Sequence, residues 1–126
     1  MRDSHQDSAR GASRDALPLH PKDFLILLAL AAGDRHGYGL ILDLEELSDG
    51  RIRIDPANLY RSIKKLVRDG LVVDAGRRAV EDDQRRRYYA ITAEGRRLAA
   101  AEASRLERLT AVARSRRLIP DPGVTR

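Results

Sequence analysis

The chain has no cysteine and no tryptophan, and aromatic residues make up only 4% of its 126 residues. Without cysteine it has no disulfide bonds, thiolate zinc sites or cysteine nucleophiles. Residues 24–32 form the most apolar run, which is about half as long as a helix that crosses a bilayer. No apolar stretch follows the first residues, as a secretory signal would require. We therefore expect a cytoplasmic protein with no membrane partner.

Catalytic signatures are also missing. The three histidines, His5, His20 and His36, are scattered along the chain, and no nucleophile elbow, phosphate-binding loop or zinc-protease motif is present. The acidic run Glu81-Asp82-Asp83 lacks a fourth ligand, which favours a solvated loop over a metal site. The sequence predicts neither an enzyme nor a cofactor.

Positive charge is what the chain has in excess. Its 24 Lys and Arg residues against 19 Asp and Glu give a formal charge of +5 and a pI near 10.1. Residues 51–90 hold eleven basic and six acidic residues, and so carry the whole formal excess. This balance suits a polyanionic partner, nucleic acid before an anionic membrane.

Composition divides the chain into four parts. Residues 1–16 are rich in Ser, Asp, Arg, Gly and Ala and predict a disordered arm, whereas the Pro and Gly of residues 120–126 predict a disordered tail. Between them we expect one folded unit over 17–92 and a long helix over 93–119.

Hydrophobic periodicity predicts four helices, one short strand and a hairpin with a long tip. The helices are expected from Pro21 to before Gly33, over 38–47, over 56–69 and from 93; the strand over 51–54; and the hairpin strands over 71–73 and 87–91, with 74–86 as their loop. Three helices followed by a two-stranded wing form a winged helix-turn-helix, mainly α with a small β-hairpin. An N-terminal helix opens this fold and a C-terminal helix ends it.

The third helix has the pattern of a recognition helix. Asp55 suits the N-cap and Pro56 the first helical position. On a helical wheel its core-facing residues are Leu59, Ile63, Leu66 and Val67. The opposite arc collects Ala57, Asn58, Arg61, Lys64, Lys65 and Arg68. We predict base readout by Asn58 and Arg61 and phosphate contacts by the other three charged residues. A merely solvated basic face is the alternative.

The wing adds basic residues on both sides of its tip. They are Arg77, Arg78, Arg85, Arg86 and Arg87, and we predict that they contact a flanking phosphate or the minor groove. Tyr88 shares a strand face with Arg86, and Tyr60 flanks the apolar arc of the third helix. Either tyrosine is a candidate for DNA contact, with packing as the alternative, whereas Tyr89 shares the inward face of Ile91.

Several motifs in order resemble the PadR family of bacterial transcriptional regulators. They are His36-Gly37-Tyr38-Gly39, Pro56-Ala57-Asn58-Leu59-Tyr60-Arg61, Lys65-Leu66-Val67-Arg68-Asp69-Gly70-Leu71, and Arg87-Tyr88-Tyr89-Ala90-Ile91-Thr92 with Gly95. The resemblance implies a homodimeric winged-helix protein that binds double-stranded DNA at a palindromic operator, usually as a repressor. A single helix after the wing resembles the short-tailed branch.

The resemblance also implies a dimer in which the C-terminal helix packs against the N-terminal helix of the other subunit. The sequence agrees, because the first helix is apolar on every side and the last one carries an apolar stripe. The dimerisation candidates are Phe24, Leu27, Leu28, Leu98, Leu106, Leu109, Val112 and Ala113.

Two departures limit the comparison. Ala57-Asn58 replaces the Gly-Thr pair that is common in the family, so the base preference of relatives does not transfer. The lack of tryptophan removes the device by which some members hold flat aromatic drugs, and a small-molecule effector stays unidentified. An RNA- or ribosome-associated winged helix, and a winged helix that binds an acidic protein, are the competing hypotheses.

Overall fold

The computed structural model describes residues 17–79 and 85–120, with only the backbone of Ala79 and Arg85. The predicted arm over 1–16, nearly all of the predicted tail, and Glu81-Asp82-Asp83 lie outside this description. The described part is mostly helical with one small antiparallel sheet, as the periodicity predicted. In chain order the elements are α1 (Pro21–Ala31), β1 (Arg35–His36), α2 (Gly37–Leu47), α3 (Pro56–Arg68), β2 (Val72–Ala79), β3 (Arg85–Ile91) and α4 (Ala93–Ser115).

The sheet has three strands in the order β1-β3-β2, and its third member is not the one that the sequence predicted. Residues 51–54 form no strand. Their alternation instead reflects the burial of Ile54 beside exposed arginines, while the Ser48 hydroxyl accepts a hydrogen bond from the Ile52 N–H at 2.8 Å. The third strand is β1, whose two residues are too few to show any alternation.

The hairpin strands are longer than predicted. β2 continues to Ala79 and β3 begins at Arg85, although residues 74–86 were expected to be a loop. A shift of register between Asp74 and Arg77 accommodates the polar residues. Gly76 takes a φ of 92° there, and its N–H donates to Asp74 Oδ1 at 2.8 Å. A glycine-containing bulge therefore lets a charged segment stay paired.

One hydrophobic core lies between the first three helices, the base of the hairpin and the start of α4. Its fully buried side chains are Ile26, Leu27, Leu30, Leu40, Leu44, Leu59 and Leu66. Val67, predicted to face the core, is 39% exposed, and Ser62 is buried instead. The buried arc of α3 is thus centred between Ser62 and Ile63, which leaves Val67 at its edge.

The N-terminal end of α4 closes the fold. Thr92 caps this helix, accepting from the Gly95 N–H at 2.9 Å and donating to the Gly70 carbonyl oxygen at 2.7 Å. Ten residues after Thr92, the buried Glu102 carboxylate receives two hydrogen bonds from Arg105, at 2.7 and 2.8 Å, and one from the Leu19 backbone. The residues before α1 are therefore tied to α4. No helix among the described residues is both long and apolar enough to span a bilayer.

Candidate nucleic-acid interface

The outward face of α3 is as exposed as the sequence predicted. Ala57, Asn58, Arg61, Lys64, Lys65 and Arg68 are all exposed. Asp55 caps the helix by accepting from the Asn58 N–H at 2.8 Å, and its other oxygen accepts from Asn58 Nδ2 at 2.9 Å. Asn58 Oδ1 in turn accepts a hydrogen bond from Arg61 Nη1. The two side chains predicted to read bases are thus joined to each other at the N-terminal turn of α3.

The three remaining cations of this face differ in their surroundings. The Lys65 ammonium lies 3.4 Å from a carboxylate oxygen of Asp23, a residue of α1 that is only 5% exposed. Lys64 and Arg68 form no ion pair with any residue that the structure describes. Lys65 therefore connects α3 to α1, whereas the charged side chains of Lys64 and Arg68 are exposed to solvent.

The register of the hairpin sorts the wing arginines onto two faces. Arg77 lies opposite Arg87, and Arg78 lies opposite Arg86. Side chains directly opposite each other share a face, and faces alternate along a strand. The first pair therefore shares the inward face of the buried Tyr89, and the second pair shares the face of Tyr88. Arg85 begins β3 opposite Ala79.

Tyr88 is the centre of the outer face. The Arg78 guanidinium lies 4.5 Å from the centre of its ring, and the His36 ring meets it edge-on at 5.2 Å. Arg78 also donates to Asp34 at 2.8 Å. Tyr88 is half-buried between these partners, so its ring helps to position the Arg78 guanidinium.

A cleft of about 370 Å³ lies between the start of α2, α3 and the wing. Tyr38, Tyr60, Arg77, Arg86 and Arg87 are among its lining residues, and the Arg86 guanidinium lies 5.6 Å from the Tyr38 ring centre. With Tyr89, three phenol rings and three guanidinium groups line this one concave surface, and such a surface suits a phosphate group.

Sequence reasoning missed the contribution of the α2 start to this cleft. His36 and Tyr38 were not among the predicted site residues, although the His36-Gly37-Tyr38-Gly39 motif was recognised. The Tyr60 hydroxyl occupies the space that a Cβ on Gly37 would need, so any larger residue at position 37 would displace the Tyr60 ring from this position. Gly37 was therefore the signal in the motif that could have indicated this contact.

Burial and two nearby arginines change the titration of His36, which lines the cleft. Burial lowers the pKa of its imidazole, and the nearby Arg86 and Arg35 lower it further. His36 Nδ1 accepts a hydrogen bond from the Gly39 N–H at 3.1 Å, so the neutral ring caps α2. On β2, the Gly76 N–H and the Arg87 guanidinium lower the pKa of the Asp74 carboxyl.

The predicted dimerisation residues fall into three groups by burial. Leu27 and Leu98, at 0% and 3% exposure, belong to the core of the single chain, and we leave them out of any partner-facing surface. Leu28, Leu106 and Leu109 are exposed. The other three, Phe24, Val112 and Ala113, are half-buried. Leu28 borders an open groove of about 890 Å³ between α1 and α2.

Comparison with known proteins agrees with this architecture. The family model described as the transcriptional regulator PadR-like family matches residues 26–101. An uncharacterised 37.1 kDa protein in transposon TN4556 of Streptomyces fradiae is 35% identical over 86 residues, which are 68% of this chain and 23% of that protein. The chain thus spans less than a quarter of that relative.

Solved structures share the fold. A transcriptional regulator from Clostridium thermocellum is 27% identical, with a TM-score of 0.59 over 74% of this chain and 89% of that one. PadR of Bacillus subtilis, solved in complex with operator DNA, is 18% identical, with a TM-score of 0.56 over 86% of this chain and 54% of that one. The second match, at this identity, bears on the fold alone.

Proposed function

The chain belongs to the transcriptional regulator PadR-like family, and from this premise we propose that it is a DNA-binding transcription regulator. In this proposal it acts in the cytoplasm as a homodimer on a palindromic operator. It represses transcription until a small molecule or another effector relieves it. The family and the structures compared are those of transcriptional regulators rather than enzymes.

The exposed face of α3 is the observation that carries the proposal. It presents an amide, two guanidinium groups and two ammonium groups with no acidic residue among them before Asp69. Asn58 and Arg61 lie in its first two turns, where a recognition helix reaches base edges. Asparagine pairs with adenine and arginine with guanine in the major groove.

The wing and the cleft beside it supply the phosphate contacts in this proposal. A recognition helix in the major groove has backbone phosphates on both sides. The cleft with Arg77, Arg86 and Arg87 lies on the wing side of α3. A second concave surface lies on the α1 side of α3, and its lining includes Lys22, Lys65, Asn58 and Arg61. Cationic clefts thus flank the helix.

The homodimer rests on apolar surface that the single chain leaves uncovered. Leu106 and Leu109 are exposed on α4, and Leu28 and Leu47 are exposed at the groove between α1 and α2. A large side chain gains about 1.5–3 kcal/mol on full burial, so covering these positions favours association. Two-fold symmetry then places half-sites about 34–36 Å apart, or a multiple of that.

The test is an anisotropy titration on duplex DNA from upstream of the protein's own gene, in ~150 mM salt with excess random duplex. We expect specific binding at least about a thousandfold tighter than random binding. Arg61→Ala and Asn58→Ala should each weaken operator binding by about 1–3 kcal/mol and relax base preference. Arg108→Ala, an exposed site on α4, is the charge-matched control.

Two outcomes would contradict the proposal. A specific-to-random ratio that Arg61→Ala leaves unchanged removes Arg61 from base readout. Tighter binding to RNA than to duplex DNA of equal charge favours the RNA-associated winged helix instead.

A further inference from the structure

Two wing arginines are each bound to an aspartate of the same chain. Arg78 Nη2 donates to Asp34 Oδ2 at 2.8 Å, and Arg87 Nη1 donates to Asp74 Oδ2. We infer that Asp34 and Asp74 compete with DNA phosphates for these arginines and so hold down the affinity of the protein for duplex DNA of any sequence. The inference rests on one part of the proposed function, the contact of the wing with DNA, and does not require base readout by α3.

Both ion pairs are open to exchange. In each of them the two side chains keep between 40% and 46% of their surface exposed, and ion pairs in contact with water contribute little to stability. Carboxylate and phosphate are both oxyanions that accept charge-assisted hydrogen bonds from a guanidinium group. A backbone phosphate can therefore replace either carboxylate without a change in the geometry that the arginine prefers.

Two other ion pairs differ in the burial of their acidic partner. The carboxyl side chain of Asp23, bound to Lys65, is only 7% exposed. Asp43, bound to Arg35, is 23% exposed, and Arg35 also donates to the Gly39 carbonyl oxygen at 3.4 Å. These pairs join helices to neighbouring elements and lie deeper than the wing pairs. The inference therefore concerns Asp34 and Asp74 alone.

Competition has a signature in the salt dependence of binding. A cation that neutralises a phosphate releases a condensed counterion, and the slope of log K against log salt counts these ions. When a phosphate displaces an internal carboxylate, the freed carboxylate takes up a cation from solution, which cancels one released ion. Removing one carboxylate should therefore steepen the slope by about 0.9.

The carboxylate also stays close to the arriving phosphate. Two negative charges about 6 Å apart repel each other even in water. We expect the loss of this repulsion to tighten binding to random duplex about threefold to tenfold for each carboxylate.

Asparagine substitution separates charge from structure. Asp74 Oδ1 accepts the Gly76 N–H that shapes the bulge, and Asn retains an oxygen at that position. Only the oxygen that faces Arg87 is replaced by an amide nitrogen. Asp34→Asn likewise keeps the size of the side chain at the turn between α1 and β1.

The experiment titrates a labelled random 20-base-pair duplex with the full chain at four salt concentrations. The proteins are the wild type, Asp34→Asn, Asp74→Asn, the double variant and Glu94→Gln as control. Glu94 forms an exposed ion pair with Arg97 on α4, at 2.6 Å, so its variant changes the net charge equally. We expect tighter binding and a steeper slope for both Asp variants, with the two effects combined in the double variant. The control should change affinity less than twofold.

Three results would overturn the inference. Weaker binding by the Asp variants would mean that the carboxylates orient the arginines. Equal tightening by Glu94→Gln would reduce the effect to net charge, and unchanged slopes would exclude displacement. A wild type that binds operator and random duplex equally, while the Asp variants behave as expected, contradicts the proposed function and leaves the inference standing. Circular dichroism melting of each variant verifies folding.

Discussion

At the scale of single residues, two helices begin with a histidine in place of the usual Ser, Thr, Asp or Asn. His20 Nδ1 accepts from the Lys22 N–H at 3.1 Å at the start of α1, and His36 Nδ1 does the same for Gly39 at α2. An imidazole accepts such a bond only while that nitrogen lacks a proton. Protonation of His36 Nδ1 would therefore break its hydrogen bond with the Gly39 N–H. It would also place a positive charge near Arg86 and Arg35.

We predict that His36 makes folding stability depend on pH. Its pKa in the folded chain lies below the ordinary value of 6.5, so between these two pKa values the unfolded chain binds more protons. The contribution is fully present above about pH 6.5 and is lost as pH falls toward the folded pKa. Urea unfolding between pH 8 and pH 5 should show this decline.

His36→Asn is the matched variant, since asparagine caps helices well and does not titrate in this range. Its stability should fall less between pH 8 and pH 5 than that of the wild type. An identical decline in both proteins would exclude His36 as the source.

At the scale of elements, the sequence predicted those with strong local signals and missed those with weak ones. Asp55, Pro56 and Gly70 located α3 almost to the residue, because a cap, a first-turn proline and a glycine stop coincide with an amphipathic pattern. β1 gave no signal, since its two residues owe their conformation to pairing with β3. The length of the wing was missed because a bulge interrupts its periodicity.

The site shows the same division. Exposure of the basic α3 face follows from helical periodicity and was predicted. The pairing of Arg78 with Asp34 joins residues 44 positions apart in sequence, and that of Lys65 with Asp23 joins residues 42 apart. Only the three-dimensional packing brings these partners together. The sequence therefore could not predict which charged residues of the interface form ion pairs within the chain.

The tie between α4 and the segment before α1 yields a prediction at this scale. Hydrogen bonds from Arg105, and to a lesser degree from the Leu19 backbone, lower the pKa of the buried Glu102 carboxyl. Glu102→Gln should lower the free energy of unfolding at pH 7 by about 1–3 kcal/mol, because a charge-assisted network becomes incompletely paired. Chemical denaturation of both proteins measures this.

The difference should vanish in acid. A lowered folded pKa gives stability that is present above the unfolded value, near 4.5, and is lost as pH falls through the folded value. Glu107→Gln, an exposed site on the same helix, should change stability by less than about 0.5 kcal/mol. A comparable loss in both variants would contradict a special role for Glu102.

At the scale of the whole molecule, the uncovered apolar side chains connect stability to DNA binding. A single chain has one copy of α3, the proposed recognition helix, and leaves Leu109 45% exposed on α4. In the proposed dimer, two recognition helices are fixed at one spacing while these side chains are covered. Association and operator recognition should therefore fail together.

Leu109→Glu tests this connection. We expect it to shift the protein from dimer to monomer in sedimentation velocity, since a charge at an apolar seam opposes association. Operator affinity should drop about a hundredfold or more, as one of two half-site contacts is lost. Leu42→Glu, at a similarly exposed leucine of α2, should alter neither. A monomeric wild type with full operator affinity would refute the proposed dimer.

The position of β2 in the sheet has a consequence for solubility. β2 pairs with β3 on one side, and none of the described residues pairs with its other edge. Open strand edges invite other chains to add to them, and natural proteins protect them with charge and bulges. Arg77, Arg78 and the bulge after Asp74 provide both. We therefore expect the side chains proposed to meet DNA also to protect the unbound protein from aggregation, and apolar substitutions there to remove both properties at once.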